Sequence, residues 1–238
     1  MFKFIYKNPN NALIFILSLF TFYFLDGYAM NYAEEEFEQA WNNPAYTQIK
    51  LDDVNINEIL SLYYETPIPV YFNRQMLWDV ETKKAWDPKT YISYVVRDGN
   101  SWGREMLENG DEVFVRSSEQ KQWLNREVYG EVFEKVYLNH KDQKATFIGT
   151  QCLKNWDDEY IDLKNQQPLF HVQHSVEGEE NNPINVWRIV HLTEEKDQRF
   201  VEELKKLIDP TRLPGFVEIY IKNDLQIPLK HIGNKAFL

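Results

Sequence analysis

Tyr91-Ile92-Ser93-Tyr94-Val95-Val96-Arg97, then Asp98-Gly99, then Ser101 to Glu108, then Asn109-Gly110 and Asp111-Glu112-Val113-Phe114-Val115-Arg116 form the stretch that decides the fold class. Asp-Gly and Asn-Gly are the dipeptides that type I′ turns select, because both central residues need positive φ. Two such turns between runs rich in β-branched and aromatic residues predict a three-stranded antiparallel meander. Gly103, inside the middle strand, marks a bulge or a close approach of backbone.

Toward the C-terminus, Ser117 and Gln120 have the spacing of a capping box, and Trp123, Leu124 and Val128 supply an apolar stripe. A helical insert ending near Gly130 is therefore expected. Glu131 to Leu138 and Lys144 to Cys152 read as a hairpin around Asn139 to Asp142, and Leu169 to Val176 pairs with Asn185 to Leu192 across the acidic loop Glu177 to Ile184. The strongest helix signal runs from Glu194 to Ile208, where Phe200, Val201, Leu204, Leu207 and Ile208 share one stripe. Thr193 stands where an N-cap would, and Asp209-Pro210 ends the run. Phe216 to Lys222 alternates Val217, Ile219 and Ile221 against Glu218 and Lys222, the pattern of a half-buried strand.

Toward the N-terminus, Ala33 to Asn42 reads as a short acidic helix with Phe37 and Trp41 on one face, stopped by Pro44. Ile56 to Tyr64 reads as a second helix with Asn55 as its N-cap. Strand runs joined by short hairpins, without repeated crossovers, predict an α+β fold. It has a mainly antiparallel sheet of about eight strands, a long helix in the C-terminal half and short N-terminal helices. Trp86-Asp87-Pro88 resembles the Trp-Asp-Pro found early in lipid-binding START-type helix-grip domains. The resemblance covers three residues, the strand-like Phe216 to Lys222 after the best amphipathic helix departs from that pattern, and no family is assigned on it.

Lys3 and Lys7 precede an uninterrupted apolar run from Ala12 to Leu25, which stops at Asp26-Gly27. That is the layout of a secretory signal peptide. As a helix the run covers roughly 21 Å, short of the roughly 30 Å hydrocarbon core of a bilayer. Gly27-Tyr28-Ala29 presents small residues where a signal peptidase reads, so residues 1–29 are expected to be removed, leaving one α+β domain over 30–238. The alternative is a retained signal-anchor. Either way the protein is expected to be exported, periplasmic or extracellular, with membrane contact only if the leader is kept.

The net charge of −11 repels phosphate backbones, which argues against nucleic acid as a partner. Acidic runs at Glu34-Glu35-Glu36, Asp157-Asp158-Glu159 and Glu177-Gly178-Glu179-Glu180 read as solvated faces. Cys152 is the single cysteine, so the fold rests on a hydrophobic core without internal disulfides. Its place at the end of an apolar run predicts burial.

No catalytic or metal-binding residue is assigned, no cofactor is expected, and ligand-binding residues stay unidentified. His171 and His174 are three apart in a strand and should point to opposite faces, which argues against a shared metal. His174 and His191 would meet only in a particular register. Cys152 with His171 as base is disfavoured because an apolar strand raises a thiol's pKa. Asp157, Asp158, Glu159 and Asp162 with Trp156 and Tyr160 would suit a sugar-binding rim, but read first as a solvated loop with aromatic plugs. Trp78, Trp86, Trp102, Trp123, Trp156 and Trp187 are core and rim residues of a β-rich domain. A curved sheet closed by the helix Glu194 to Ile208 would leave an aromatic-lined cavity suited to apolar or amphipathic ligands.

These readings point to an exported protein that binds a small apolar or amphipathic ligand or another protein. The alternative is a secreted or periplasmic hydrolase with a carboxylate- or His-based site that shows no motif, so whether the chain is an enzyme stays open.

Overall fold

The computed structural model describes residues 32–164, 169–196 and 198–233. The expected leader over 1–29 lies outside the described residues. In chain order the elements are α1 (32–41), β1 (Thr47–Lys50), β2 (Val54–Asn55), α2 (Ile56–Tyr63), β3 (Tyr64–Glu65), α3 (Arg74–Trp86), α4 (Pro88–Tyr91), β4 (Val96–Met106) and β5 (Glu112–Lys121). They continue with β6 (Tyr129–Asn139), β7 (Lys144–Thr150), β8 (Cys152–Lys154), β9 (Tyr160–Asp162), β10 (Phe170–Glu179), β11 (Asn182–His191), α5 (Gln198–Lys205), α6 (Gly215–Asn223) and β12 (Lys230–His231). The protein is α+β, with an eight-stranded antiparallel sheet in the order β1-β11-β10-β7-β6-β5-β4 and β2 paired to β11. No helix among the described residues is long and apolar enough to cross a membrane.

The register builds the core in rows. Phe114, Val136, Phe147, Val172, Ile189 and Ile49 are successive cross-strand partners from β5 to β1, so one inner face carries a continuous apolar row. Helices α2, α3 and α6 pack on that face. Near β1, Leu204 of α5 joins Ile49, Leu51 and Ile189. The opposite face is covered by α1, whose Phe37 and Ala40 bury against Ile148 and Val190.

The α1 helix with Phe37 and Trp41, the α2 helix with Asn55 as its N-cap and the β6–β7 hairpin form as expected; the Asn55 side chain accepts from Glu58 N–H. Asn109-Gly110 makes the β4–β5 turn with Gly110 at φ 86°. Gly103, at φ 65°, sits where the β4–β5 register shifts.

Several expectations are corrected. Asp98-Gly99 is not a turn: β4 runs through it, Gly99 pairs with Ser118, and the Asp98 carboxylate accepts from Lys89 Nζ at 2.9 Å. The meander is therefore β4-β5-β6-β7, and Tyr91 closes α4 instead of opening a strand. Ser117 to Gly130 is no helical insert, because Ser117 and Ser118 lie opposite Phe133 and Val132 in the β5–β6 ladder. The β10–β11 hairpin is tighter than read, with Glu179 opposite Asn182.

The long helix expected over Glu194 to Ile208 is the shorter α5; Thr193 Oγ1 accepts from Glu195 N–H in a turn before it. Phe216 to Lys222 is helix, not strand: Phe216, Val217, Tyr220 and Ile221 bury at i, i+1, i+4 and i+5. The departure from the Trp-Asp-Pro pattern therefore does not exist. Asp87 there caps α4 by accepting from Thr90 N–H, with Pro88 at the first helical position. Cys152 is half-buried rather than buried, because β7 stops at Thr150 and Cys152 opens the β8–β9 hairpin opposite Asp162.

Candidate functional site

Helix α3 was not foreseen, and it places the site. Asn73 caps it by accepting from Met76 N–H, and Leu77, Trp78, Val80, Glu81, Lys84 and Ala85 are its buried residues. That spacing is a helical stripe, but two of its members are charged. Glu81 is fully buried and Lys84 is 2 % exposed. One turn apart, they form an ion pair.

Around the pair, polar groups converge from β10 and β11. Asn185 Nδ2 donates to Glu81 Oε1 at 2.7 Å, and Trp187 Nε1 donates to Asn185 Oδ1 at 2.5 Å. His174 Nδ1 lies 2.5 Å from Lys84 Nζ and 3.1 Å from Glu81 Oε2. Its ring stacks on Trp187, centroids 4.1 Å apart. Burial would push the Glu81 carboxyl up, but Lys84 and His174 together hold it at about 2. Burial pushes His174 down to about 4, so the ring is neutral at pH 7 and its Nδ1 accepts from the ammonium. Lys84 is pushed down by burial to about 8 against the opposing pull of Glu81.

A second buried pair lies beside the first. Arg116 and Glu134 face each other across β5 and β6, with Nε to Oε2 at 2.6 Å. Arg116 Nη1 also donates to the Ala85 carbonyl at 3.0 Å, at the C-terminal end of α3 where a cation is favoured. The guanidinium sits 4.4 Å from the Phe147 ring centroid.

Lys84, Arg116, Glu134 and His174 are among the polar residues in the wall of a cavity of about 490 Å³. The sheet contributes Phe147, Val172, Trp187 and Ile189, and α6 closes the far side with Ile219 and Glu218. Leu207, Ile208 and Leu213, in the segment between α5 and α6, complete the apolar lining, with Trp123 and Tyr94 near its edge. The wall expected from Glu194 to Ile208 is therefore supplied chiefly by the segment after α5 and by α6. An apolar chamber of this size with a few convergent polar groups has the form of a small-molecule site.

Of the histidines, the cysteine and the acidic residues weighed from sequence, His174 lines the cavity and the others fall elsewhere; Trp123, Trp187, Leu207 and Ile208 line it too. His171 points to the outer face, 3.6 Å from Glu36 of α1, whereas His174 points inward to α3. His191 lies opposite Phe170 and His174 opposite Trp187, so the hairpin register does not bring the two imidazoles together. Cys152 and His171 belong to separate sheets. Asp157, Asp158 and Glu159 sit at the tip of the β8–β9 hairpin, where Asn155 Oδ1 accepts from the Asp157 and Glu159 N–H groups. Trp156 and Tyr160 are 75 % and 71 % exposed there, not plugs. Glu81, Lys84, Arg116 and Glu134 were missed. The one signal for them was Glu81 and Lys84 falling in register with Leu77, Trp78 and Ala85.

No family model matches the chain, and no curated protein matches it. Among solved structures the chain is similar to ginseng major latex-like protein 151 from Panax ginseng, at 9 % identity and a TM-score of 0.40, covering 74 % of this chain and 95 % of that one. It is also similar to an uncharacterized protein from Bacillus thuringiensis, at 13 % identity and a TM-score of 0.31, covering 60 % and 88 %. Neither likeness bears on what this chain binds.

Proposed function

We propose that this protein is an exported carrier or receptor for a small apolar or amphipathic molecule held between the sheet and α6. The cavity of about 490 Å³ carries this reading. Its volume falls within the range of about 300–1,000 Å³ typical of ligand sites. The charges lining it are already paired, Arg116 with Glu134, Lys222 with Glu218, Arg212 with Asp209, and Lys84 with Glu81, which does not itself line the cavity, so an apolar body fits better than a multiply charged one.

Native mass spectrometry of the purified full chain tests the proposal, followed by titration with 1-decanol read by fluorescence of Trp123 and Trp187. A co-purifying adduct displaced by decanol, or saturable uptake of one decanol per chain, is expected. A bare monomer that takes up no decanol overturns the reading. Export rests on residues 1–29, and N-terminal sequencing of the exported protein should begin at Met30.

A hydrolytic reading has one observation behind it, the contact of Glu81 with the cavity-lining His174 at 3.1 Å. No Ser, Thr or Cys is among the residues lining that cavity, and Glu81 is already engaged by Lys84 and Asn185. Turnover of ester or glycoside substrates, abolished by His174→Gln, would replace the binding reading.

A further inference from the structure

We infer that Lys84 is a covalent docking point for an apolar aldehyde, whose chain occupies the cavity while its carbonyl carbon forms an imine with Nζ. The inference rests on the cavity reading above and adds the ligand's reactive group.

Geometry carries it. Lys84 is one of the residues lining this largely apolar cavity, and its Nζ, 4.0 Å from the Phe216 ring centroid and 5.2 Å from that of Trp187, lies 2.5 Å from Nδ1 of His174, another lining residue. The groups that face Nζ come from four elements: Glu81 on α3, His174 on β10 and, more distantly, Arg116 on β5 with its partner Glu134 on β6. A neutral imidazole nitrogen beside an ammonium is an acceptor for the proton that must leave before the amine can attack. Desolvation lowers the Lys84 pKa below that of an ordinary surface lysine, so more of its amine is neutral at pH 7.

The chemistry balances without an oxidant or reductant. His174 Nδ1 takes one ammonium proton; the amine pair then forms the C–N bond as the carbonyl π pair moves to oxygen. Proton return gives a carbinolamine, which loses its hydroxyl as water while the nitrogen pair closes the C=N bond. Ammonium and aldehyde thus become iminium and water. The reaction begins and ends with a cation on the lysine nitrogen, so Glu81 has its partner in both the ammonium and the iminium forms and no new buried charge is created overall. A buried ion pair that survives the reaction is what a low-dielectric wall requires of a reversible covalent site.

Decanal is the probe. The full chain is incubated with it near pH 7 and cyanoborohydride, which reduces the iminium, and the adduct is mapped by peptide mass spectrometry. One decyl group per chain is expected, on Lys84 at least tenfold over any other lysine, suppressed by excess 1-decanol. The Lys84 rate should level off at a lower pH than that of the surface lysines. Lys84→Arg keeps a cation for Glu81 and should lose this adduct. Labels scattered over exposed lysines, or no label, while decanol still binds overturn the inference and leave the cavity reading standing. If decanol itself does not bind, both fall. Mapping on the unaltered chain decides the matter even where Lys84→Arg fails to fold.

Discussion

Replacing Glu81 by Gln keeps the side chain's shape and an oxygen for Asn185, but removes the charge that holds the Lys84 ammonium in the interior. An ammonium left there either stays charged, at a cost of about 3–5 kcal/mol, or releases its proton. Release sets a ceiling. For an amine with an ordinary pKa of 10.5, deprotonation at pH 7 costs about 4.8 kcal/mol, and this ceiling drops by about 1.4 kcal/mol per pH unit as pH rises. Lys84→Met is the mirror case. It strands the Glu81 carboxylate, whose ordinary value is 4.5, and protonation caps the loss at about 3.4 kcal/mol at pH 7, a cap that falls as pH falls. The two single variants should therefore move in opposite directions with pH. Glu81→Gln recovers toward about pH 9 and Lys84→Met toward about pH 6. The double variant removes both charges and should fall short of the sum of the single losses by about 2 kcal/mol or more. Urea unfolding followed by tryptophan fluorescence at the three pH values reads all of this. Losses that do not move with pH, or that simply add, would refute the claim that the pair is dry and mutually dependent.

Val172 lines the cavity between Phe147 and Ile189, so Val172→Trp should fill it, weakening decanol binding at least tenfold by fluorescence titration while thermal stability holds or rises. A Cβ on Gly215 would lie 2.5 Å from the ring of Tyr94, at the ring's free end. Gly215→Ala should displace that ring from the cavity edge at a cost within about 1 kcal/mol, and stopped-flow measurement should show faster decanol release. Burial holds both His171 and His174 at about 4 against an ordinary 6.5. A base whose folded pKa is depressed gives stability that is complete above about 6.5 and is lost as pH falls toward 4. The urea midpoint should decline across that window, and less steeply in His171→Gln.

The sheet was legible where local chemistry and tertiary pairing agree. Val132 to Leu138 and Lys144 to Ile148 are dense in strand formers around a polar turn, and the β6–β7 ladder follows them. Asn109-Gly110 needs positive φ wherever it is placed. Asp98-Gly99 carries the same dipeptide signal but serves another purpose. A Cβ on Gly99 would come within 3.2 Å of the Pro88 ring, so that glycine admits α4 against β4 instead of turning the chain. The Ser117 to Gln120 capping pattern failed for a related reason, since both serines of that stretch face cross-strand partners in β6. In α6, Val217, Ile219 and Ile221 satisfy a period of two, while Phe216, Val217, Tyr220 and Ile221 satisfy a helix. Contacts decide between them, with Phe216 stacked 6.0 Å from Trp187 and Tyr220 Oη donating to Asp79 of α3 at 2.9 Å.

Helix α3 was invisible because charged residues interrupt its buried stripe. A periodicity reading finds a helix by its apolar stripe, and here the stripe positions at 81 and 84 are charged. A chain selected for stability alone would place Leu or Met there, because well-packed apolar residues commonly equal or exceed a buried ion pair. Glu81 and Lys84 therefore have the character of site residues that weaken the local helix signal, compensated by Asn185, His174 and the stacked Trp187. The interruption in the stripe and the polar wall of the cavity meet in Lys84, which lines the cavity while its partner Glu81 occupies the other interrupted position.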